Sequence, residues 1–306
     1  MLYSFNTYKE MVQDALKREL GEECVKGTIT VKDNGVKREG IHLVLPDNKL
    51  APIVYLDSSK GIYNDSDIDA FVGWALKTYR NAAKYTGKGI SGLGDWDVVK
   101  DYIKIRLLNG ERNLKQLKDF FPYIKIMDLV ATFDISSEKV LPEYGDGKIR
   151  ITNFMMDTWN VDVDTLYKVA IQNMEREGYE FDDVRKYLGI LLNDENTDYD
   201  KAKPSLYILR VYDGVYGACA MLSKKIMDKV CENFSSDSVY ILPSSVHEVI
   251  VITAEDMDVV ALKNMVYEIN EAIVGAEEYL ADNVYQYSAN LHELKIANIE
   301  KVVNVA

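Results

Sequence analysis

Four glycines close together divide this chain into two parts. They are Gly87, Gly89, Gly92 and Gly94. Glycine loses more backbone freedom on ordering than any other residue, so a helix or strand through this segment would be costly in free energy. The pattern therefore predicts a glycine-rich linker over 85–95, between a module at 1–84 and a larger domain at 96–306.

The first 84 residues show the pattern of a small α-β-β-β-α module. Thr7 with Glu10 forms a capping box in front of apolar residues at helical spacing, and Ser66 with Asp69 begins a second run of this kind. Three apolar segments between these runs predict strands. The dipeptide Asn34-Gly35, between the first two segments, favours the positive φ angles of a type I′ hairpin turn.

Beyond the linker, helical and strand-like patterns alternate again. Apolar residues recur at helical spacing over 96–107 and predict a helix, and a second short helix is expected after Asn113 as its cap. Apolar segments predict strands near 123–135 and 147–152. A further amphipathic helix is expected over 159–176.

The C-terminal third of the chain predicts strands in hairpins and two packed helices. Strand patterns occur at 205–213, 238–242 and 246–252, with a helix at about 218–234. The inner face of a last helix is predicted to hold Val259, Leu262, Val266, Ile269 and Ile273. The expected fold class is therefore α+β: the N-terminal module, then a mixed α/β region with antiparallel hairpins and packed helices. That region can divide into two subdomains near 177–204.

Negative charge is concentrated in two segments. The chain has 36 basic and 49 acidic side chains, a net charge of −13. The segment 177–200 holds eight acids against two basic residues, and 254–282 holds eight acids against Lys263 alone. Because an acidic surface repels phosphate groups, we expect no direct binding of nucleic acid. The acids suit a basic protein partner, or serve solubility alone.

Cysteine and histidine are sparse. The cysteines are Cys24, Cys219 and Cys231, and the histidines are His42, His247 and His292. Their spacing predicts neither a disulfide framework nor a metal site, and we expect no cofactor. Sparse cysteine favours a reducing cytoplasm. The N-terminal residues lack a signal-peptide pattern and no apolar run is long enough to span a bilayer, so no membrane contact is expected.

The most concentrated polar group lies between two strand patterns, in the segment 243–248. Ser245 and His247 stand two residues apart, and with the Glu248 carboxylate they could form the nucleophile and base of a hydrolase. Pro-Ser-Ser is equally the chemistry of a turn, which leaves His247 as an ordinary strand residue. The sequence has no Gly-x-Ser-x-Gly elbow, so the turn is favoured and no catalytic residue is assigned.

Tyrosine is abundant, with 21 residues against eight phenylalanines. Tyrosine combines apolar area with a polar tip and is enriched at protein interfaces. Tyr279, Tyr285 and Tyr287 follow the last long helix beside the second acidic segment, and they are candidates for a binding surface. The alternative is ordinary partial burial.

Several runs of this sequence resemble one family. They are VYILPSSVHEVIVI, NMVYEINEAIV and EEYLADNVYQYS near the C-terminus, NGVKREGIHL and LAPIVYLD near the N-terminus, and PYIKIMDLVATFDIS with ITNFMMDTWNVDVDTLYKVAIQN between them. Over most of its length the chain resembles a family of uncharacterised proteins from Gram-positive anaerobes. A more limited similarity is to a second uncharacterised bacterial cytoplasmic family. The resemblance implies domain boundaries and a cytoplasmic location, but no activity or catalytic residues.

Three functions of different class fit these patterns. The favoured one is a non-enzymatic protein-binding or regulatory module with an unidentified, basic partner. The residues expected to bind it are Tyr279, Tyr285, Tyr287, Asp194, Glu195, Asp198 and Asp200. The alternatives are a hydrolase centred on Ser245, His247 and Glu248, and an acidic inhibitor that imitates nucleic acid. The inhibitor would need the acids at 194–200 to share a face with those at 255–258.

The glycine-rich segment leads to a test by limited proteolysis. Exposed loop tips with small residues are preferred cleavage sites, so we expect the first cut within 85–95. Mass spectrometry of the fragments would locate it. Early cleavage at other loops with 85–95 left intact would contradict the division into two parts.

Overall fold

The computed structural model describes residues 1–45, 52–83, 91–140, 147–184, 206–212, 214–254 and 257–298. The chain divides into two compact units, Met1–Leu93 with Ser137–Gly147, and Gly94–Ser136 with Lys148–Ala306. Most of the predicted linker, 85–90, lies outside the described residues, so the boundaries at 84 and 96 stay a prediction. Helices and antiparallel sheets occur together in the described residues, which confirms the α+β fold class.

The first unit contains two long helices and five strands. The helices are α1 (Phe5–Leu20) and α2 (Asp65–Ala83). The strands are β1 (Leu2–Ser4), β2 (Val25–Val31), β3 (Lys37–Leu43), β4 (Ile53–Tyr55) and β5 (Ile62–Asn64). Strands β2, β3 and β4 form one antiparallel sheet in that order, and β1 pairs with β5. This confirms the predicted α-β-β-β-α order and adds two short strands.

Both helices begin earlier than their sequence patterns indicate. Ser4 rather than Thr7 caps α1, because the Ser4 side chain accepts a hydrogen bond from the backbone N–H of Thr7 at 3.3 Å. At the start of α2, Asn64 and Asp67 bond reciprocally through side chain and backbone, at 2.9 and 3.1 Å. The predicted caps were therefore wrong, although both helices are present.

The hairpin turn between β2 and β3 is confirmed. Asn34 and Gly35 have φ angles of 60° and 74°, and the N–H of Val36 donates to the carbonyl of Asp33 at 3.3 Å. These are the features of a type I′ turn, whose twist matches that of antiparallel strands. Pro46-Asp47-Asn48, a sequence typical of a turn, precedes β4 and lies outside the described residues.

The rest of the chain contributes seven helices and ten strands to the described residues. The helices are α3 (Trp96–Val99), α4 (Gly110–Leu117), α5 (Ser137–Val140), α6 (Asn153–Trp159), α7 (Val163–Glu177), α8 (Lys224–Phe234) and α9 (Val259–Ile273). The strands are β6 (Ile103–Asn109), β7 (Ile124–Ile126), β8 (Leu129–Ser136), β9 (Lys148–Arg150), β10 (Tyr179–Asp183), β11 (Tyr207–Val211), β12 (Ser238–Pro243), β13 (Val249–Thr253), β14 (Tyr285–Ser288) and β15 (Glu293–Ile296). Of these elements, α5 belongs to the first unit.

A four-stranded antiparallel sheet occupies the part where a helix was predicted over 96–107. Only α3 and a short 3₁₀ helix, Lys100–Tyr102, are helical there, and residues 103–109 form β6, which pairs along its whole length with β8. Ile103, Ile105 and Leu107 are buried at alternate positions. The prediction was wrong because the apolar residues here fit both the helical spacing and the alternation of a strand, and pairing with β8 favours the strand.

Three other predicted helices differ in their limits. Asn113 does not cap a helix but lies buried inside α4, whose N-cap is Asn109. The helix expected over 159–176 begins later, at Val163, because α6 ends at Trp159 and Asn160 adopts a φ of 53°. The helix expected at about 218–234 is a 3₁₀ segment, 217–222, followed by α8 with its own cap.

A six-stranded antiparallel sheet carries one helix on each face. The strand order is β10-β11-β13-β12-β14-β15. Val239 of β12 pairs with Tyr287, whose hydroxyl donates to the carbonyl of Lys224 in α8 at 3.3 Å. Leu242, three residues along β12 and therefore on the opposite face, packs with Leu262 and other residues of α9. Strand β10 lies within 177–204, and from residue 185 this region lies outside the described residues until 206.

Helix α9 is turned differently from its sequence prediction. Leu262 and Val266 are buried as expected, but Ile269 is 41% exposed and Ile273 is 80% exposed. The inward position is taken by Asn270, whose amide donates to the Ala281 carbonyl at 2.9 Å and to the Asp282 side chain at 2.8 Å. A buried amide must find partners, and these bonds keep Asn270 inward, so that Ile269 lies at the edge of the buried face. Ile273 is the last residue of α9 and is exposed at its end, although it lies three turns from Leu262 on the same face.

The two sheets of the second unit meet at Asp128, in the turn between β7 and β8. Its carboxylate accepts hydrogen bonds from the Tyr285 hydroxyl at 2.8 Å and from the Asn283 amide at 3.0 Å. Its carbonyl accepts from the N–H of Gly110 at 2.9 Å. A Cβ at Gly110 would lie 2.6 Å from this oxygen, so the close approach requires glycine.

The Asp128 junction leads to a stability prediction. Tyr285→Phe removes the hydroxyl donor and leaves the Asp128 carboxylate with one bond fewer, which we expect to cost about 1–3 kcal/mol of unfolding free energy. Urea denaturation would measure it. Tyr212→Phe, at an exposed position, is the matched control and should change stability by less than about 0.5 kcal/mol. Equal effects of the two substitutions would contradict a structural role for the junction.

Candidate functional site

The segment 244–248 is the connection between β12 and β13, as the turn interpretation of the sequence expects. The Ser245 hydroxyl accepts a hydrogen bond from the backbone N–H of His247 at 3.0 Å. The ring atom Nδ1 of His247 accepts from the backbone N–H of Tyr216 at 3.1 Å. A neutral His247 therefore carries its proton on Nε2, which lies 3.8 Å from the Glu278 carboxylate.

This arrangement does not join Ser245 and His247 as nucleophile and base. The hydroxyl contacts the backbone of His247, and the acceptor nitrogen of the ring is already occupied by Tyr216. Glu248 instead contacts Arg210, with oxygen and nitrogen 3.4 Å apart. A catalytic pair needs the base within hydrogen-bond reach of the nucleophile, so the geometry lends no support to the hydrolase hypothesis.

The same turn is packed tightly against residues 216–218. A Cβ on Gly217 would lie 2.5 Å from the His247 carbonyl, so only glycine allows this approach. Tyr216 has a φ of 58°, and the Arg106 guanidinium lies 4.2 Å from the centre of its ring. Arg106 also forms an ion pair with the buried Asp134, at 2.5 Å. These contacts indicate that His247 contributes to the packing of this turn.

Two of the three tyrosines proposed for binding lie in the interior. Tyr285 and Tyr287 are fully buried on one face of the six-stranded sheet. Their hydroxyls donate to Asp128 and Asp228, at 2.8 and 2.7 Å. Burial, together with these carboxylates, raises the pKa of both phenols well above the ordinary value. Both rings therefore serve internal packing, and a partner would not reach them.

Tyr279 is partly buried, and its ring lies under the Arg112 guanidinium at 3.7 Å. Burial, reinforced by a hydrogen bond to Asp282, raises the pKa of Tyr279 to about 12. The hydroxyl therefore stays protonated at neutral pH. Of the three candidates, Tyr279 alone keeps part of its ring at the surface.

The acids proposed for binding fall largely outside the described residues. Asp194, Glu195, Asp198 and Asp200 all do so, as do Glu255 and Asp256. Asp258 is described, and its side chain accepts from the N–H of Val260 at 2.9 Å as the N-cap of α9. The common face required for an inhibitor that imitates nucleic acid therefore stays a prediction.

An exposed apolar row on α9 is a feature that the sequence analysis missed. Met265, Ile269 and Ile273 are spaced four residues apart, so they follow one side of the helix, and all three are exposed. We call these three residues the α9 row. The signal in the sequence is Asn270, an amide at helical spacing from Leu262 and Val266, which competes with Ile269 for the inner position.

The surroundings of the α9 row are acidic. Glu268 and Glu271 lie on the exposed side of the same helix, and Asp258 caps its start. Lys263, the one basic residue between 254 and 282, bonds to the Asn283 side chain at 3.1 Å. The row therefore combines exposed apolar area with an uncompensated negative field, the composition expected of a surface that receives a basic amphipathic segment.

His292 also has an unexpected partner. Its Nδ1 lies 3.0 Å from the Asp228 carboxylate, which also accepts from Tyr287. His292, Asp228 and Cys231 border an open cavity of about 380 Å³. Burial raises the pKa of Cys231 to about 11, so its thiol is protonated and weakly nucleophilic at neutral pH. In the described part of the chain, no three His, Cys, Asp or Glu side chains are grouped as metal ligands.

The turn geometry predicts the effect of Ser245→Ala. This substitution removes the hydroxyl that accepts the backbone N–H of His247, and it should lower the free energy of unfolding by about 1 kcal/mol or less. Ser223→Ala is the comparison, because Ser223 caps α8 and donates to Glu175 at 2.7 Å; we expect a loss of about 2 kcal/mol there. Thermal unfolding would measure both. Hydrolysis of a p-nitrophenyl ester that depends on Ser245 would contradict the packing role.

Comparison with known proteins gives a family but no activity. A search of curated proteins and a search of solved structures each found no match. Among the described helices, none has both the length and the apolar composition needed to cross a bilayer. The model of a family of unknown function, DUF5688, matches residues 5–289. Because the match extends over nearly the whole sequence, the chain belongs to the DUF5688 family.

Proposed function

We propose that this chain is a non-enzymatic protein-binding module that receives a basic amphipathic segment of a partner on the α9 row. The observation that supports it is the exposure of Met265, Ile269 and Ile273 along one side of an acidic helix. Apolar side chains in a row are the usual anchors of a helix laid against a protein surface. The row replaces Tyr285 and Tyr287, which are buried, as the centre of the binding surface.

The energetics favour contact at the C-terminal end of the row. Fully burying an exposed isoleucine is worth about 1.5–3 kcal/mol, and Ile273 has most of this area still available. Met265 and Ile269, which are already partly covered, add less. Three such contacts suit a regulated association of moderate affinity.

The acidic side chains of α9 favour a basic partner. Glu268, which adjoins the row three residues beyond Met265, and Glu271, on another side of α9, attract Lys and Arg during the approach and raise the association rate. A second copy of this chain would bring the same carboxylates together, and this repulsion disfavours a symmetric α9 pair. Asp194, Glu195, Asp198 and Asp200 are proposed to add to the attraction at longer range.

The proposal also includes a cellular compartment and a source organism for the chain. Cys24, Cys219 and Cys231 are buried free thiols, which suits the reducing cytoplasm of a bacterium. The origin in Gram-positive anaerobes and the similarity to a second uncharacterised family rest on sequence resemblance.

The test uses a fluorescent 18-residue helical peptide of leucine and lysine, with a leucine–glutamate peptide as the charge control. We expect the basic peptide to bind and the acidic one not to bind in fluorescence anisotropy. Replacing Met265, Ile269 and Ile273 together by Gln should weaken binding at least tenfold, equivalent to about 1.4 kcal/mol. Replacing Glu268 and Glu271 by Gln should lower the association rate and the salt dependence.

The control is the opposite side of the same helix. Val260 and Tyr267 are also exposed, and replacing both by Gln should leave binding unchanged. Circular dichroism would show that all variants remain folded. Equal loss in both sets of variants, or equal binding of the acidic peptide, would contradict the proposal. So would loss of self-association in the triple variant, because it would make α9 an interface between copies.

A further inference from the structure

Strand β2 is a long open edge in the first unit. It spans seven residues, pairs with β3 on one side and stands at the end of the sheet order β2-β3-β4. Within the described residues, no strand pairs with its other side. An open edge presents backbone donors and acceptors to any strand that can align with it.

The alternation of hydrogen bonds along the β2–β3 hairpin shows which backbone groups of β2 point away from β3. The N–H of Lys32 donates to Val36, and the N–H of Val44 donates to Cys24. Bonded pairs alternate along an antiparallel ladder, so the even-numbered residues of β2 bond to β3. The N–H and C=O groups of the odd-numbered residues therefore point outward. They are Val25, Gly27, Ile29 and Val31, and among these groups the N–H of Val25 already donates to the Glu22 carbonyl.

The edge lacks the features that usually block such pairing. Natural edge strands are protected by proline, bulges, inward charges or shortness. The register of β2 with β3 is continuous from residue 25 to 31, and the one charge is Lys26, on the other face from Ile29. Ile29 is 64% exposed and Val31 is 48% exposed, so apolar area lies directly beside the open backbone.

We infer that β2 pairs with β2 of a second copy of this chain, in antiparallel register about a two-fold axis at Thr28. This register opposes Val25 with Val31 and Gly27 with Ile29, and all four are outward-bonding residues. Each Gly27–Ile29 pair exchanges two hydrogen bonds, and in each Val25–Val31 pair the N–H of Val31 donates to the Val25 carbonyl. The two three-stranded sheets then become one continuous six-stranded sheet.

The side chains fit this symmetric register. Ile29 of each copy lies opposite Gly27, where the flexible end of the Gln13 side chain lies 2.8 Å from the position of a Cβ and would have to move aside. Val31 lies opposite Val25, and Lys26 lies opposite Thr30, so no like charges face each other. A second copy is therefore the proposed occupant, since a two-fold axis at Thr28 pairs the free N–H groups of both edges with carbonyls of the other copy and opposes no like charges.

The test is the oligomeric state of the full chain combined with amide hydrogen exchange. Sedimentation velocity should show a concentration-dependent dimer. The amides of Gly27, Ile29 and Val31 should gain protection as concentration rises, whereas those of Val25, Lys26, Thr28 and Thr30, which are bonded within one copy, should change little. A chain that stays monomeric up to about millimolar concentration would overturn the inference, as would a dimer without this alternating protection.

A matched pair of substitutions separates the edge from general surface effects. Ile29→Lys places charges across the two-fold axis and should weaken the dimer at least tenfold. Ile62→Lys is the control, because Ile62 is 58% exposed in β5, and it should leave the dimer unchanged. Circular dichroism would verify folding of both. Equal weakening by both variants would count against β2 as the interface.

Discussion

The carboxylate of Asp128 is the contact on which the second unit depends. It joins the turn between β7 and β8 to the segment that enters β14, through Asn283 and Tyr285. The backbone of Asp128 also receives Gly110 at the start of α4. A half-buried polar junction of this kind allows little freedom, because each donor left without its acceptor would cost free energy. It thereby holds the four-stranded sheet and the six-stranded sheet in one arrangement.

The same segment determines how α9 lies. Residues 281 and 282 accept the amide hydrogen bonds of Asn270, so the helix is held in place by a polar contact at a position that usually holds an apolar side chain. This contact also affects which side chains of α9 are exposed. Ile269 stays at the edge of the buried face while Asn270 keeps its partners, and with Met265 and the helix-end residue Ile273 it forms the surface proposed for partner binding.

The two surfaces inferred for this chain have different physical origins. The α9 row is exposed because a buried amide keeps Ile269 at the edge of the buried face and Ile273 ends the helix, and the acids of α9 make it specific for basic partners. The edge of β2 is open because the three-stranded sheet ends there, and backbone groups supply the specificity through their alternating direction. One is expected to recognise a different protein and the other a second copy of the same chain, since like acids repel whereas a symmetric strand edge is self-complementary.

Local patterns determined much of the fold from the sequence alone. Asn34-Gly35 specifies a hairpin because its positive φ angles need no distant partner, and the long helices of the first unit follow from periodicity over many residues. Features that depend on distant residues were decided by the tertiary structure. Residues 103–109 became a strand through pairing with β8, and the burial of Tyr285 follows from Asp128, 157 residues away. The partial exposure of Ile269 likewise depends on bonds that Asn270 makes outside its own helix, because periodicity reports which residues share a face but not which face the core accepts.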